Sequence, residues 1–218
     1  MASERAARRT RRVLTREEIL DAAVVLVDTE GLAALSMRRL ADALGVGAMT
    51  VYGFVANKEE LVSGLAAHVL RGLEADVPDG LGWRATMLAE LDALRGAIER
   101  HPGLLELLSV GVEHMPLLDR TRERLVAVLG AEGFDDDTVV DGLGALVALT
   151  LGFTVGATLR SGPLGDSYGR LADLDGAEFP HLRALGADYA AHWSRRAWLA
   201  GVEALLDGME ARRAAVSG

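Results

Sequence analysis

The sequence contains no cysteine, and this absence excludes several classes of protein. A disulfide-stabilised scaffold, thiolate catalysis and thiolate metal sites all need cysteine. Aromatic residues are scarce at 5%, whereas half of the 218 residues are hydrophobic and a quarter are charged. That balance is typical of a globular protein rather than a disordered or fibrous one, and the length suits one large or two modest domains.

A long apolar run is also missing. The first sixteen residues are polar and basic, without the apolar segment of a secretory signal. The longest uncharged run, 142–159, has 18 residues, fewer than the ~20 that usually span a bilayer. Its four glycines and three threonines favour a buried helix of a soluble protein. We therefore expect a cytoplasmic protein with no membrane partner.

Basic residues are unevenly distributed along a chain whose net charge is −9. Residues 1–60 contain nine basic and nine acidic side chains, so residues 61–218 carry the remaining 14 basic and 23 acidic ones. A flexible basic arm over 1–14 ahead of an acidic body predicts that only the N-terminal region meets a polyanion. A solvated tail with no partner explains the same composition.

The hydrophobic pattern predicts an all-α fold, because no alternating stretch is long enough for a strand. Thr15 and Glu18 have the spacing of a capping box at the start of a first helix. Ser36 caps a second helix, and Asn57 with Glu60 opens a fourth. Later helical patterns lie near 83–100, 103–112, 116–129, 136–160, 181–193 and 194–213, with a long loop over 161–180.

Two short helices joined by a glycine turn, Ser36–Leu44 and Ala48–Val55, have the proportions of a helix-turn-helix. In such a unit the first helix crosses the DNA backbone and the second enters the major groove. Any helical hairpin can contain a glycine turn. The preceding three-turn helix and the basic arm strengthen the DNA-binding interpretation.

The run from Leu40 to Leu61 resembles the DNA-binding domain of the tetracycline-repressor (TetR/AcrR) family, and the resemblance extends over about residues 15–75. The rest resembles the family's ligand-binding and dimerisation domain more loosely, at His101-Pro102 and over 142–159 and 198–209. The resemblance implies an all-helical homodimeric repressor that a small-molecule effector releases from palindromic double-stranded operator DNA. It places a helix-turn-helix domain at 15–60 and a ligand-binding and dimerisation domain at 61–218.

The resemblance also implies roles in DNA binding for individual residues. Arg38 is placed to reach a guanine edge and Arg39 to reach a phosphate, while Tyr52 and Lys58 would each contact a phosphate as well. A core aromatic and a solvated charge are the structural alternatives for those two. The DNA-binding set comprises Ser36, Arg38, Arg39, Ala48, Met49, Thr50, Tyr52, Phe54 and Lys58.

The sequence departs from the family pattern at Gly47, Gly53 and Phe54. Gly53 is expected inside the recognition helix, where glycine is less favourable than alanine by ~1 kcal/mol. That helix has no Arg, Asn or Gln for bidentate base readout. Specificity should therefore depend on thymine-methyl contacts from Ala48 and Met49, on Arg38 and on DNA shape.

The C-terminal part contains no constellation of catalytic residues. Its histidines lack metal-ligand spacing, and no nucleophile elbow, phosphate loop or dinucleotide motif occurs. We therefore expect no catalytic residue, metal or cofactor, and no enzyme. The alternative function is a helical small-molecule-binding protein or enzyme with a vestigial DNA-binding unit.

Leucine-rich helical faces over 83–129 favour a pocket for a small apolar effector, although core packing explains the same pattern. Polar and aromatic side chains nearby could contact such a ligand. The predicted ligand-binding set comprises His101, Thr150, Phe153, Thr154 and Thr158.

A stripe of small residues recurs every four positions in the long apolar helix, at Gly144, Ala148, Gly152 and Gly156. Glycine in a helix interior is unfavourable by ~1 kcal/mol, so the stripe indicates a close approach by another helix, by a ligand or by the chain's own core. The last helix offers a partner seam. We predict a two-fold, four-helix dimer interface that adds Trp198, Val202, Leu205 and Met209.

Overall fold

The computed structural model describes residues 14–74, 80–109, 116–160, 173–190 and 194–216, and every regular element in these ranges is helical. The all-α prediction is confirmed. The helices are α1 (Arg16–Glu30), a 3-10 turn (Leu32–Ala34), α2 (Met37–Leu44), α3 (Ala48–Tyr52), α4 (Lys58–Glu74), α5 (Trp83–Arg100), α6 (Leu104–Ser109), α7 (Pro116–Ala131), α8 (Asp136–Arg160), α9 (Pro180–Ala190) and α10 (Arg195–Val216). The predicted basic arm, apart from Leu14, and most of the predicted 161–180 loop lie outside the described residues.

The predicted helix starts are confirmed by their capping hydrogen bonds. The Glu18 N–H donates to Thr15 Oγ1 at 3.1 Å, and the Thr15 N–H donates to Glu18 Oε2 at 3.0 Å. Ser36 Oγ accepts from the Arg39 N–H at 3.2 Å, and Asn57 Oδ1 accepts from the Glu60 N–H at 2.8 Å. Each cap satisfies a backbone donor that the first turn of a helix leaves without a partner.

The recognition helix is shorter than the sequence predicts. α3 ends at Tyr52, so Gly53 is its C-terminal cap and not an interior residue. The Gly53 N–H still bonds to the carbonyls of Met49 and Thr50, both at 3.2 Å. The penalty expected for a glycine inside the helix therefore does not apply at this position.

The chain divides into two compact units, and the first contains the described residues up to Val69 together with α6. Two carboxylates join α6 to the end of α1. Asp28 Oδ1 accepts from the Gly103 N–H at 3.0 Å, and Glu106 Oε2 accepts from the Leu32 N–H at 2.8 Å. The predicted domain limit at residue 60 stays a prediction, whereas the compact unit extends further along α4 and includes this later helix.

Gly103 is the tightest point of the junction between α1 and α6. A Cβ there would lie 2.5 Å from Val27 Cγ1 and 3.1 Å from the Val27 carbonyl carbon, and Val27 is buried. We expect Gly103→Ala to lower the free energy of unfolding by about 1–3 kcal/mol, because backbone must shift to admit the methyl group. Urea unfolding measures the change.

Gly130→Ala is the matched control for this substitution. Gly130 lies in α7, and among the described residues no atom comes within 4 Å of a Cβ built there. This variant should gain about 0.5–1 kcal/mol from helix propensity and a less flexible unfolded chain. Equal stability of Gly103→Ala and the parent protein would contradict the tight junction.

The second compact unit contains α5, α7, α8, α9 and α10. Its core is a cluster of buried side chains contributed by α5, α7, α8, α10 and the segment between α7 and α8. Trp83 and Phe134 pack edge to face with ring centroids 4.9 Å apart, an arrangement that aromatic pairs favour. The cluster comprises Trp83, Met87, Leu91, Leu129, Phe134, Val139, Leu146, Trp198, Val202, Leu206 and Met209.

α8 packs against α10 through glycines that lie outside the predicted stripe. A Cβ on Gly142 would come within 2.5 Å of Met209 Cε, and one on Gly201 within 3.1 Å of Leu149 Cδ2. The segment Asp136–Ala157 is long and apolar enough to cross a membrane by length and composition, a test that core helices also pass. Leu146 and Thr150 are buried, so one face of α8 packs in the core of the second unit, whereas another face is exposed.

Candidate DNA-binding face and effector cavity

α2 and α3 present one exposed face, which we call the reading face and define by Arg38, Met49, Thr50 and Tyr52. All four side chains are exposed, and Met49 is 81% exposed although it is apolar. Val51, on the opposite side of α3, is fully buried. The pattern is that of a short helix anchored by one side and offered to a partner by the other.

Arg39, next to the reading face, is engaged within the chain. Its guanidinium contacts the Glu30 carboxylate, with Nη2 2.6 Å from Oε1 and Nε 3.2 Å from Oε2. The hydrogen bonds and charge of Glu30 raise the pKa of Arg39. A phosphate contact by Arg39 would therefore compete with this carboxylate.

The other predicted DNA-binding residues surround the same face. Lys58 is exposed at the first position of α4, and Ser36 is exposed at the start of α2. Ala48 and Phe54 are half-buried at the two ends of α3. The Ser36 hydroxyl caps α2, so a phosphate at this end would meet backbone N–H groups.

An open, groove-like cavity of about 670 Å³ lies along α5 in the second unit, and all of its described lining residues belong to this helix. The residues that line it are Ala89, Asp92, Ala93, Arg95, Gly96, Glu99 and Arg100. A narrow cleft shares Arg95 and Glu99 with the cavity and reaches α8 and α10 at Phe153, Thr154 and Trp198. The cavity volume falls in the range of about 300–1,000 Å³ that is usual for small-molecule sites.

An ion-pair network joins α5 to α10 beside this cavity. Arg95 donates from Nε and Nη2 to Asp92 Oδ1 at 3.1 and 2.9 Å, and Arg195 donates to Asp92 Oδ2 at 2.9 Å. Arg95 also contacts Glu99, and its guanidinium lies 5.2 Å from the centre of the Trp198 ring. Burial raises the pKa of Asp92, but the hydrogen bonds from Arg195 and Arg95 outweigh it and hold that pKa below its usual range.

The predicted ligand-binding residues occupy different environments. Thr150 is fully buried; its hydroxyl donates to the Leu146 carbonyl at 2.9 Å and accepts from Trp198 Nε1 at 3.1 Å. Phe153 and Thr154 line the narrow cleft. His101 ends α5 and does not line either space, and the Thr158 side chain lies outside the described residues.

The structure separates the residues predicted for the dimer interface. Trp198, Val202 and Met209 are buried in the core of their own chain, because this face of α10 packs on α8, and Leu205 is half-buried against that core. The small-residue stripe of α8 lies elsewhere. Gly144, Ala148 and Gly152 are exposed, and Gly156 is half-buried. A Cβ on Gly144 or Gly152 would meet no atom of the described residues within 4 Å, so neither packs against the chain's own core there.

Sequence reasoning missed Asp92, Arg95, Glu99 and Arg195 at the cavity. A signal was present in α5, because Asp92, Arg95 and Glu99 follow one another at spacings of three and four residues along one helical face. Because the same helix is rich in leucine, the sequence instead predicts an apolar lining for the effector pocket. Arg195 is distant in sequence, and only packing of α10 brings it to Asp92.

Comparison with known proteins places the chain among bacterial regulators. The family model for bacterial regulatory proteins of the tetR family matches residues 19–65. The chain is 34% identical over 168 residues to the HTH-type transcriptional repressor DrrR1 of Streptomyces coeruleorubidus, covering 76% of this chain and 60% of that protein. It is 32% identical to an HTH-type transcriptional regulator of Saccharopolyspora erythraea, covering 84% of this chain and 75% of the relative.

Two solved structures share the fold over most of their length. The Streptomyces coelicolor TetR family protein ActR in complex with actinorhodin has a TM-score of 0.74 at 27% identity, covering 92% of this chain and 97% of that one. BioQ of Mycobacterium smegmatis bound to its double-stranded DNA operator has a TM-score of 0.62 at 28% identity, covering 91% and 99%. Both have the order of a helix-turn-helix domain followed by a helical domain.

Proposed function

Because this chain belongs to the TetR family of bacterial transcriptional regulators, we propose that it is a repressor that binds a palindromic operator as a homodimer and leaves it when a small effector binds. The observation that carries the proposal is the reading face. Met49, Thr50 and Tyr52 are exposed on α3, whereas Val51 is buried beneath them. An exposed apolar side chain on a short helix suits a DNA major groove, where thymine offers a methyl group.

Charge supports the same orientation on DNA. Arg38 is the exposed cation of the reading face, and Lys58 is exposed at the start of α4. A guanidinium can donate two hydrogen bonds to the O6 and N7 of guanine, whereas a lysine ammonium suits a phosphate. We assign Arg38 to a base edge, and Arg39, Tyr52, Lys58 and the N-terminus of α2 to the DNA backbone.

The exposed stripe of α8 supports the homodimer. Gly144, Ala148 and Gly152 leave a helical surface almost without side chains, on which a second helix can pack closely. Two copies about a two-fold axis would bury this stripe against its symmetry mate. A two-fold dimer matches the symmetry of a palindrome, whose half-sites lie about 34–36 Å apart along B-form DNA.

The cavity along α5 supports a small-molecule effector. ActR, which shares the fold, has been solved in complex with actinorhodin. The alanine and glycine floor of the cavity suits a predominantly apolar ligand body. The effector releases DNA if it binds more tightly to the conformation that cannot bind the operator than to the conformation that can. Operator DNA must then weaken effector binding by the same factor.

The test is a mobility-shift titration on the DNA upstream of the protein's own gene, at several salt concentrations. The proposed repressor gives a shift at one site, and its affinity falls steeply with salt because phosphate contacts release counterions. A mutated half-site is the control for sequence preference. Equal and weak binding to all sequences would instead indicate a small-molecule-binding protein or enzyme that retains a vestigial DNA-binding unit.

Glu30 provides a more specific test of the DNA-binding surface. We expect Glu30→Gln to raise operator affinity about two- to fivefold, because Arg39 no longer has to break an ion pair with Glu30 before it contacts a phosphate. The salt dependence should steepen by about one counterion per subunit. Both quantities come from binding isotherms measured by fluorescence anisotropy.

Glu17→Gln is the control for Glu30→Gln, because it removes the same charge at the other end of α1, where Glu17 is exposed. Its affinity should stay close to that of the parent protein. An unchanged affinity and salt slope in Glu30→Gln would remove Arg39 from the phosphate contacts.

A further inference from the structure

We propose that the effector of this protein has a flat apolar body with one anionic group, a carboxylate or an ionised phenol, and that Arg95 binds this group above the Trp198 ring. This inference rests on the proposed function, since it specifies the ligand of the same cavity. The effector then carries a negative charge in addition to its apolar body, and Arg95 recognises that charge.

Arg95 is built into the wall shared by the cavity and the narrow cleft. Its side chain is only 13% exposed, and the guanidinium is held between the Trp198 ring and the Asp92 carboxylate. A guanidinium fixed in this way needs little further ordering when a ligand arrives. Such preorganisation is what a binding site requires of its charged group.

The hydrogen bonds of Arg95 leave donors for a ligand. A guanidinium has five N–H groups. Two donate to Asp92 Oδ1, from Nε and Nη2, and one on Nη1 contacts Glu99. One N–H on each Nη atom therefore has no acceptor within the described part of the chain. These N–H groups can donate charge-assisted hydrogen bonds to the oxygens of a carboxylate.

Charge around the cavity also favours an anion. The lining residues of the cavity and the cleft include three arginines, Arg95, Arg100 and Arg195, and two carboxylates, Asp92 and Glu99. Asp92 is committed to two arginines. Glu99 is 48% exposed and pairs with Arg95 only from the next helical turn, the kind of surface pair that contributes little. An incoming anion can therefore replace Glu99 at Nη1.

The floor of the cavity selects the shape of the ligand body. Ala89, Ala93 and Gly96 follow one another along one face of α5, and a Cβ on Gly96 would meet no atom within 4 Å in the part of the chain that the structure describes. A surface with such short side chains admits a planar ring system lying flat against the helix. The anionic substituent of that ring would then point along α5 towards Arg95.

The experiment uses matched acid and amide probes on the full chain. Calorimetry at constant ionic strength and neutral pH compares 2-anthroate with 2-anthracenecarboxamide, and 2-naphthoate with its carboxamide. Each acid should bind at least about tenfold more tightly than its amide, because a charge-assisted hydrogen bond is stronger than a neutral one. Equal binding of acid and amide, or binding by neither, would overturn the proposal.

Three variants identify the residue responsible. Arg95→Gln should bring acid affinity down to that of the amide and leave amide affinity within about twofold. Glu99→Gln, at an exposed side chain, should raise acid affinity about two- to fivefold and leave the amide unchanged. Arg122→Gln removes an arginine paired in the same way on the surface of α7, and should change neither. A retained acid preference in Arg95→Gln, or no gain in Glu99→Gln, would contradict the proposal.

Operator release separates this inference from the proposed function. If acids and amides bind alike and both displace operator DNA, the ligand-responsive repressor stands and the anionic site fails. If acids bind through Arg95 and leave operator affinity unchanged, the anionic site stands and effector control of DNA binding fails.

Discussion

Replacing Gly152 by glutamate is expected to convert the protein into a monomer with little operator affinity. Gly152 lies on the exposed stripe of α8, where a Cβ meets no atom of the described residues within 4 Å, so this part of the fold can accept a longer side chain. In the proposed dimer the stripe faces its symmetry mate, and two glutamates would be buried together without a positive partner. Burying unpaired like charges is strongly unfavourable.

Loss of the dimer should reduce operator affinity by about 10²–10⁴-fold, because each reading face would then bind its half-site without help from the other. Sedimentation velocity measures the oligomeric state, and anisotropy measures DNA binding. Circular dichroism and urea unfolding should show the helical content of the parent protein. A Gly152→Glu variant that stays dimeric would exclude the α8 stripe from the interface.

Gly130→Glu is the matched control for this substitution. Gly130 is an exposed helical glycine of α7, and no atom in the described ranges lies within 4 Å of its Cβ position, so the same charge enters a comparable helical surface away from the stripe. It should remain dimeric. Leu205→Glu is a poorer test, because Leu205 packs against the core of its own chain and a charge there would also destabilise the fold.

Local sequence signals predicted the helices because each signal acts within one turn of backbone. The capping residues Thr15, Ser36 and Asn57 each bond to a backbone N–H three residues later, as their spacing predicts. The end of α3 was predicted three residues too late. Val55 continues the apolar face and its N–H bonds to Val51, but the helix itself ends at Tyr52, before Gly53.

Contacts between distant parts of the chain could not be predicted in the same way. The glycine stripe indicated a close approach, yet the glycine that meets α10 is Gly142, on another face of α8. Both faces carry small residues, and only the packed structure shows which one Met209 covers. The seam-spaced residues of α10 do form one apolar face, but this face packs against the core of its own chain.

Charged pairs were the least predictable part of the candidate sites. Arg39 was interpreted as a phosphate contact, and nothing local indicates that Glu30, nine residues earlier, holds its guanidinium. Arg195 reaches Asp92 across 103 positions. Long polar side chains on helix surfaces can pair in several ways, and the helix packing decides among them.

Arg38→Ala is expected to weaken operator binding by about 1–3 kcal/mol per half-site and to relax the preference at one base pair, because a bidentate contact to guanine is lost. Arg38 is exposed on the first turn of α2, so truncation leaves the fold unchanged. Binding to a panel of operators, each substituted at one base pair, measures both effects. The variant should lose discrimination at one position and retain it at the others.

Lys58→Ala is the companion variant, since Lys58 is also exposed and is the only lysine of the sequence. A phosphate contact carries no sequence information, so this variant should weaken binding to every operator in the panel alike. The logarithmic salt dependence should fall by about one per subunit, because one fewer counterion is released. A Lys58→Ala variant with altered base preference and an unchanged salt slope would reverse the roles assigned to the two residues. The reading face would then extend to α4, and recognition would depend on the start of that helix as well as on α3.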